Sequence, residues 1–75
     1  MKRELVKFLK KAFEMTGGEL HVLIRFEVGE QLGLSPAQTD KIVDELVTTG
    51  MINKAELNKI VLSQKALYLL HKNKI

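Results

Sequence analysis

The side chains of this sequence that could carry out catalysis are few and far apart. His21 and His71 have no neighbouring ligand motif, and the chain has no cysteine, so neither a zinc site nor thiolate chemistry is expected. The nine carboxylates are scattered, and Gly17-Gly18 lacks the lysine and the glycine spacing of a phosphate-binding loop. We therefore expect no enzyme activity, no metal, no cofactor and no small-molecule substrate.

Positive charge is the chemical feature that the sequence does concentrate. Twelve Lys and Arg against nine Asp and Glu give a formal charge of +3, a mild bias toward anionic partners. The densest group consists of Arg3, Lys7, Lys10 and Lys11. On one side of a helix these cations could lie along phosphates or an acidic protein, or form a merely solvated surface. Phe8, which lies among them in sequence, belongs to the apolar stripe of the predicted helix, so no aromatic residue is expected on the basic face itself. This favours a duplex over a single strand as the nucleic-acid partner.

Length and composition indicate the class of protein. Seventy-five residues, 45% hydrophobic and 28% charged, predict one small globular domain over residues 1–75 that depends on packing instead of disulfides. The apolar stretches are short and the amino-terminal segment is charged, so we expect no membrane span and no signal peptide. These features predict a cytoplasmic protein.

Hydrophobic periodicity predicts the elements in the first half of the chain. Apolar residues at steps of three and four predict an amphipathic helix over residues 2–15 with a basic outer face. Residues 20–26 are rich in β-branched side chains and predict a short extended segment. A short helix then begins at Glu27 and ends at Gly33, where a left-handed residue suits a helix terminus.

Helix-capping residues give the clearest signal in the chain. Ser35 is a preferred N-cap residue, proline follows it at the first helical position, and Gln38 completes a capping box. A helix should therefore begin at Ser35 and end at Gly50. Its predicted inward residues are Thr39, Ile42, Val43 and Leu46.

A β-hairpin and a last helix are predicted after Gly50. Residues 51–52 and 60–62 have strand character and are separated by a polar stretch whose turn position the sequence leaves open. Ser63 can cap a final helix through the apolar run 66–70. The predicted order is α-β-α-α-β-β-α, mainly α with a small β-hairpin.

A resemblance to a known family is carried by residues 28–36 (VGEQLGLSP), by Gly50-Met51-Ile52 and by Leu62-Ser63. These segments resemble the winged helix-turn-helix family of prokaryotic DNA-binding domains over about residues 26–67. The resemblance implies a recognition helix that begins at Ser35, a hairpin that serves as the wing, and duplex DNA as the partner of a small transcription regulator.

The resemblance and the charges together give a set of expected DNA contacts. The recognition helix should contact bases, while the wing and the first helix should contact phosphates. Gln38 could reach an adenine edge or serve only its capping box, and hairpin lysines could serve solubility instead. The residues expected to contact DNA are Ser35, Ala37, Gln38, Lys41, Asp44, Lys54, Asn58, Lys59, Arg3 and Lys7.

The charge of the predicted recognition helix opposes this function. Between Ser35 and Thr49 the single lysine, Lys41, is outnumbered by Asp40, Asp44 and Glu45, which gives a formal charge of −2. Such a helix is repelled by phosphates. The alternative is a winged-helix protein-interaction or dimerisation module that does not bind DNA. The apolar run 66–70 predicts a homodimer through the C-terminal helix, although the same residues could cover the core.

Overall fold

The computed structural model describes all 75 residues and contains four helices and three strands. The helices are α1 (Arg3–Met15), α2 (Arg25–Gln31), α3 (Pro36–Thr48) and α4 (Gln64–His71). The strands are β1 (Leu23–Ile24), β2 (Ile52–Lys54) and β3 (Lys59–Leu62), and they form one antiparallel sheet in the order β1-β3-β2. The order of the elements is the predicted one, and the fold is mainly α.

Helix α1 buries one side and exposes its charges. Leu5, Phe8, Leu9 and Ala12 are buried, at the three- and four-residue spacing of one helix face. The other helices and β3 contact α1, so this face is the surface against which the rest of the chain packs. The amphipathic pattern of the first fifteen residues is thereby confirmed.

The junction between α2 and α3 is built from the predicted turn and cap residues. Gly33 follows α2 with φ +73°, in the left-handed region that favours glycine. Ser35 Oγ accepts a hydrogen bond from the Gln38 amide at 3.1 Å, and Gln38 Oε1 accepts one from the Ser35 amide at 2.9 Å. The capping box is therefore confirmed, and its two hydrogen bonds satisfy the free Ser35 and Gln38 amides at the start of α3.

The sheet is short, and its middle strand supplies the buried side chains. Ile60 of β3 lies opposite Leu23 of β1, and Leu62 lies opposite Ile52 of β2. Ile60, Leu62 and Ile52 are buried, so the hairpin packs one face on the core. The turn that joins β2 to β3 spans residues 55–58, the position that the sequence left open.

The last helix is fastened at both ends. Ser63 Oγ accepts a hydrogen bond from the Ala66 amide at 3.1 Å and donates one to the Gly50 carbonyl at 2.7 Å. At the other end, His71 Nε2 lies 2.8 Å from the Gly18 carbonyl oxygen, and its ring meets the Phe13 ring edge-on at 4.9 Å. The predicted cap at Ser63 is confirmed.

One hydrophobic core joins these elements. Thirteen buried apolar residues form a single cluster, to which all four helices and strands β2 and β3 contribute. Its largest fully buried side chain is that of Phe8 from α1. None of the four helices is long and apolar enough to cross a lipid bilayer.

Several element boundaries differ from the predicted ones. Helix α2 begins at Arg25 instead of Glu27. The Arg25 amide donates to Asn58 O at 2.9 Å, directly beyond the paired residues of β1 and β3, and the chain turns into the helix there. The N-cap residue Ile24 makes no side-chain cap, so no local residue marks that start. Strand β2 covers Ile52–Lys54 where residues 51–52 were predicted, and of the predicted extended segment 20–26 only Leu23–Ile24 forms a strand.

Candidate nucleic-acid interface

Helix α3 has a buried side and an exposed ridge opposite to it. The buried residues are Thr39, Ile42, Val43 and Leu46, as the periodicity predicted. The exposed residues Ala37, Lys41, Asp44 and Thr48 recur at the spacing of a single helix face. This ridge is the part of α3 that could enter a groove in a binding partner.

Asp40 lies beside the ridge and is paired with Arg25 at the start of α2. Arg25 Nη1 donates a hydrogen bond to Asp40 Oδ1 at 3.2 Å. The arginine side chain is 10% exposed and the aspartate side chain 50% exposed. Because a guanidinium stays charged at neutral pH, the buried Arg25 needs a nearby carboxylate, and Asp40 supplies it.

The other two carboxylates of α3 are also paired with cations. Lys54 Nζ of β2 lies 3.0 Å from Asp44 Oδ1, and Lys2 Nζ lies 3.4 Å from Glu45 Oε1. Both pairs are exposed on at least one side, so they contribute little to the free energy of unfolding. Their effect is on the charge that α3 presents to a partner.

The three cations that pair with α3 come from three separate parts of the chain. Lys2 precedes α1, Arg25 begins α2, and Lys54 ends β2. The formal charge of −2 counted along α3 is therefore offset in space by three positive side chains. Lys41, on the ridge, is the charged residue of α3 that has no ion-pair partner.

The predicted contact residues Ser35 and Gln38 form the first turn of α3, and both are exposed. Gln38 Oε1 is engaged in the capping box, so only its side-chain amide nitrogen remains for another partner. Of the two roles that the sequence left open for Gln38, the capping role is confirmed. A contact between Gln38 and a base stays a prediction.

A shallow groove separates the start of α1 from α3. Lys2 and Glu4 line it on one side, Gln38 and Lys41 on the other, and Ile42 lies in its floor. The predicted contact residues Arg3 and Lys7 line an adjoining hollow together with Lys2 and Glu4. The structure thus brings Lys2 next to α3 and places Arg3 and Lys7 in the adjoining hollow, whereas Lys10 and Lys11 lie further along α1.

The hairpin lies on the other flank of α3. The predicted contact residues Lys54, Asn58 and Lys59 are all exposed. Lys54 is paired with Asp44, whereas Lys59 makes no ion pair and no hydrogen bond joins its side chain to α3. At the tip, Leu57 is 88% exposed and has φ +53°, an unusual backbone conformation for a leucine.

Sequence reasoning missed Arg25 as a functional candidate. It treated Arg25 as part of an extended apolar segment, and the structure places it at the start of α2 with contacts to α3 and the hairpin. The signal available was a single charged residue inside the run 22–26, because an arginine among apolar neighbours that becomes buried must find partners.

Comparison with known proteins leaves this surface to be interpreted from its own geometry. No protein-family model matches the chain, no curated protein matches it, and no solved structure matches it. The features that any proposal must explain are therefore the ridge of α3, the cations on its two flanks, and the contacts of Arg25.

Proposed function

We propose that this chain is a winged helix-turn-helix domain that binds duplex DNA as a small transcription regulator, with α3 as the recognition helix and the β2–β3 hairpin as the wing. The observation that carries the proposal is the pairing of Asp40, Asp44 and Glu45 with cations from outside α3. This pairing removes the main electrostatic objection to placing α3 against phosphates.

The ridge of α3 has a suitable shape for a major groove. Ala37 and Thr48 have short side chains, so at these two positions the helix can approach the DNA closely. Lys41 lies between them and is free to donate to a guanine or to a phosphate. Asp44 is paired with Lys54, so its carboxylate is already engaged and is a poor candidate for a contact with cytosine.

The flanks of α3 supply candidate phosphate contacts. Arg3 and Lys7 are exposed, make no ion pairs and line a hollow that adjoins the groove between α1 and α3. Lys59 is exposed and unpaired on the hairpin side. Cations on both sides of a recognition helix match the two phosphate backbones that border a major groove.

The alternative function, a protein-interaction module, is favoured by an exposed apolar row beside β1. Leu20, Val22 and Ile24 alternate along the chain and are 56%, 55% and 39% exposed. Strand β1 is also an edge of the sheet, so its outer side has no neighbouring strand. Under this alternative a partner chain would dock at β1, and α3 would have no role in binding.

The decisive experiment is fluorescence anisotropy with a random-sequence DNA duplex over a series of salt concentrations. We expect micromolar affinity whose logarithm falls linearly with log salt, with a slope of about 0.9 per phosphate contact. Lys41→Ala and Lys59→Ala should each weaken binding and reduce the slope by about one contact. The control is Lys74→Ala, which removes an exposed, unpaired lysine beyond α4 and should leave the slope unchanged.

Two results would contradict the proposal. One is the absence of binding at low salt. The other is an equal effect of Lys74→Ala and Lys41→Ala, which would indicate attraction by net charge without a defined surface. Either result would leave docking at β1 as the function to test, with Val22→Lys as the disrupting variant.

A further inference from the structure

Arg25 contacts both parts of the proposed DNA-binding surface. It is the first residue of α2 and is 8% exposed, which is rare for an arginine. Its side chain lies between α3 and the hairpin turn, with the guanidinium carbon 6.0 Å from the centre of the Phe26 ring. Because this guanidinium is buried, it does little for solubility, and its role must lie in the contacts that it makes.

Three hydrogen bonds from Arg25 join α3 to the hairpin turn. Nη1 donates to Asp40 Oδ1 of α3 at 3.2 Å, and Nη2 donates to the Leu57 carbonyl at 3.4 Å. The Arg25 backbone amide donates to the Asn58 carbonyl at 2.9 Å. Two consecutive carbonyls of the turn are therefore held by one residue, which is also bonded to α3.

We propose that Arg25 is a positioning residue that fixes the hairpin turn relative to α3. The planar guanidinium has its terminal nitrogens in a rigid fork, so binding Asp40 with one of them determines where the other meets Leu57. Beyond the apolar packing of the hairpin on the core, the other side-chain link between the hairpin and α3 is the Lys54–Asp44 pair, whose side chains are 48% and 63% exposed. Arg25 is thus the buried polar connection between α3 and the hairpin turn.

This placement has a consequence for DNA binding, which rests on the proposed function. Lys59 follows directly after the turn residue Asn58, whose carbonyl Arg25 holds. When α3 occupies a groove, the position of the turn determines whether Lys59 meets a phosphate. Arg25 therefore touches no DNA but determines how much Lys59 contributes to affinity.

The first test uses the free protein and does not depend on DNA. Amide hydrogen exchange by NMR is compared between the wild type and Arg25→Met. The amides to follow are those of Lys59, bonded to Glu56 O at 3.0 Å, and Ala55, bonded to Lys59 O at 2.9 Å. We expect both to exchange about tenfold faster in the variant, while the Lys72 amide of the α4 terminus is unchanged.

Arg25→Lys is the matched variant, because it keeps the charge but replaces the two terminal nitrogens of the fork with a single ammonium. The Lys59 and Ala55 amides should exchange as fast in Arg25→Lys as in Arg25→Met. Full protection of the turn amides in Arg25→Lys would overturn the proposal, since charge alone would then suffice. If Arg25→Met does not fold, Asp40→Asn can replace it, because Asp40 is the partner of Arg25 and is half exposed. This variant should also accelerate exchange of the Lys59 amide.

The second test measures the coupling between Arg25 and Lys59 in DNA binding. Lys59→Ala and Lys7→Ala are each introduced into the wild type and into Arg25→Lys. In the Arg25→Lys background, Lys59→Ala should lose most of its effect on affinity, whereas Lys7→Ala on α1 should keep its full effect. If Arg25→Lys reduces the effects of Lys59→Ala and Lys7→Ala on affinity equally, the variant has caused a general loss of stability. That result would overturn the positioning role of Arg25.

The two tests separate the proposals. Faster exchange at the turn without any DNA binding would support the role of Arg25 in hairpin placement and contradict the proposed function. DNA binding with unchanged exchange would support the function and contradict the positioning role.

Discussion

Asp44 of α3 and Lys54 of β2 form the shortest ion pair in this protein, with 3.0 Å between Oδ1 and Nζ. Both residues were expected to contact DNA, and the structure shows them in contact with each other. The side chains are 63% and 48% exposed, so a phosphate could compete with Asp44 for the lysine. If the domain binds DNA as proposed, Asp44 would compete with the DNA backbone for Lys54, and removing the charge of Asp44 should release Lys54.

Asp44→Asn should strengthen DNA binding. The released Lys54 adds a phosphate contact, so the slope of log affinity against log salt should rise by about one, measured by fluorescence anisotropy. The free energy of unfolding should change by less than about 1 kcal/mol, because the pair is exposed. Glu14→Gln is the control: it removes an equal charge from a pair with Lys11 at the far end of α1. Equal gains in both variants would contradict the competition and indicate a net-charge effect.

The structural and DNA-binding roles of Gln38 can be separated by two substitutions. Gln38→Glu keeps an acceptor for the Ser35 amide and should leave the free energy of unfolding within about 0.5 kcal/mol of wild type. It removes the amide donor and adds a negative charge, so DNA affinity should fall. Gln38→Ala should lower both the free energy of unfolding and the DNA affinity. The loss of stability should be about 0.5–1 kcal/mol in chemical denaturation.

Gln64→Glu is the matched control for that comparison. Gln64 is exposed at the first position of α4, so the same change in charge occurs at a helix start outside the proposed interface. It should leave DNA affinity unchanged. A loss of affinity as large as that of Gln38→Glu would show that position 38 has no special contact with DNA.

Local sequence patterns predicted the elements well because their causes are local. The capping residues Ser35 and Ser63, the turn at Gly33 and the buried stripe of α3 each depend on residues within a few positions of one another. The start of α2 was predicted late because Ile24 carries no capping side chain. There the structure depends on a hydrogen bond from the Arg25 amide to a residue of the hairpin.

The charge environment of α3 could not be predicted in the same way. Counting charges along α3 gave a repulsive helix, whereas Lys2, Arg25 and Lys54 reach it from distant parts of the chain. Arg25 and Asp40 are separated by 15 positions, and Arg25 and Leu57 by 32. No periodicity or spacing rule indicates which cation meets which carboxylate over such distances, since tertiary packing determines it.

The homodimer expected through α4 now depends on Tyr68. Leu67, Leu69 and Leu70 pack against the core, which leaves Tyr68, 59% exposed, as the large apolar side chain that α4 offers to a second copy. If α4 forms the dimer, sedimentation velocity at high micromolar concentration should show a dimer that Tyr68→Glu converts to monomer. Leu57→Glu at the hairpin tip is the control and should leave the dimer intact. A wild-type monomer at these concentrations would contradict the expectation.

A side chain at position 29 should weaken the packing of α2 against α3 and lower the free energy of unfolding. Gly29 is buried, and a Cβ added there would collide with Thr39 Oγ1 and lie 3.1 Å from the Thr39 Cβ and Cγ2 atoms. Gly29→Ala would gain about 1 kcal/mol of helix propensity but force α2 away from α3, at a cost of up to about 3 kcal/mol. The net result should be a loss of stability of about 1–2 kcal/mol in chemical denaturation.

Two further variants show whether the loss arises at this contact. Glu30→Ala changes an exposed neighbour in α2 and should alter the free energy of unfolding by less than about 0.5 kcal/mol. Adding Thr39→Ala to Gly29→Ala removes the colliding hydroxyl and methyl groups. The double variant should therefore be more stable than the sum of the two single losses predicts. Additive losses would mean that Gly29 and Thr39 act independently. The stability loss of Gly29→Ala would then not arise from the contact with Thr39.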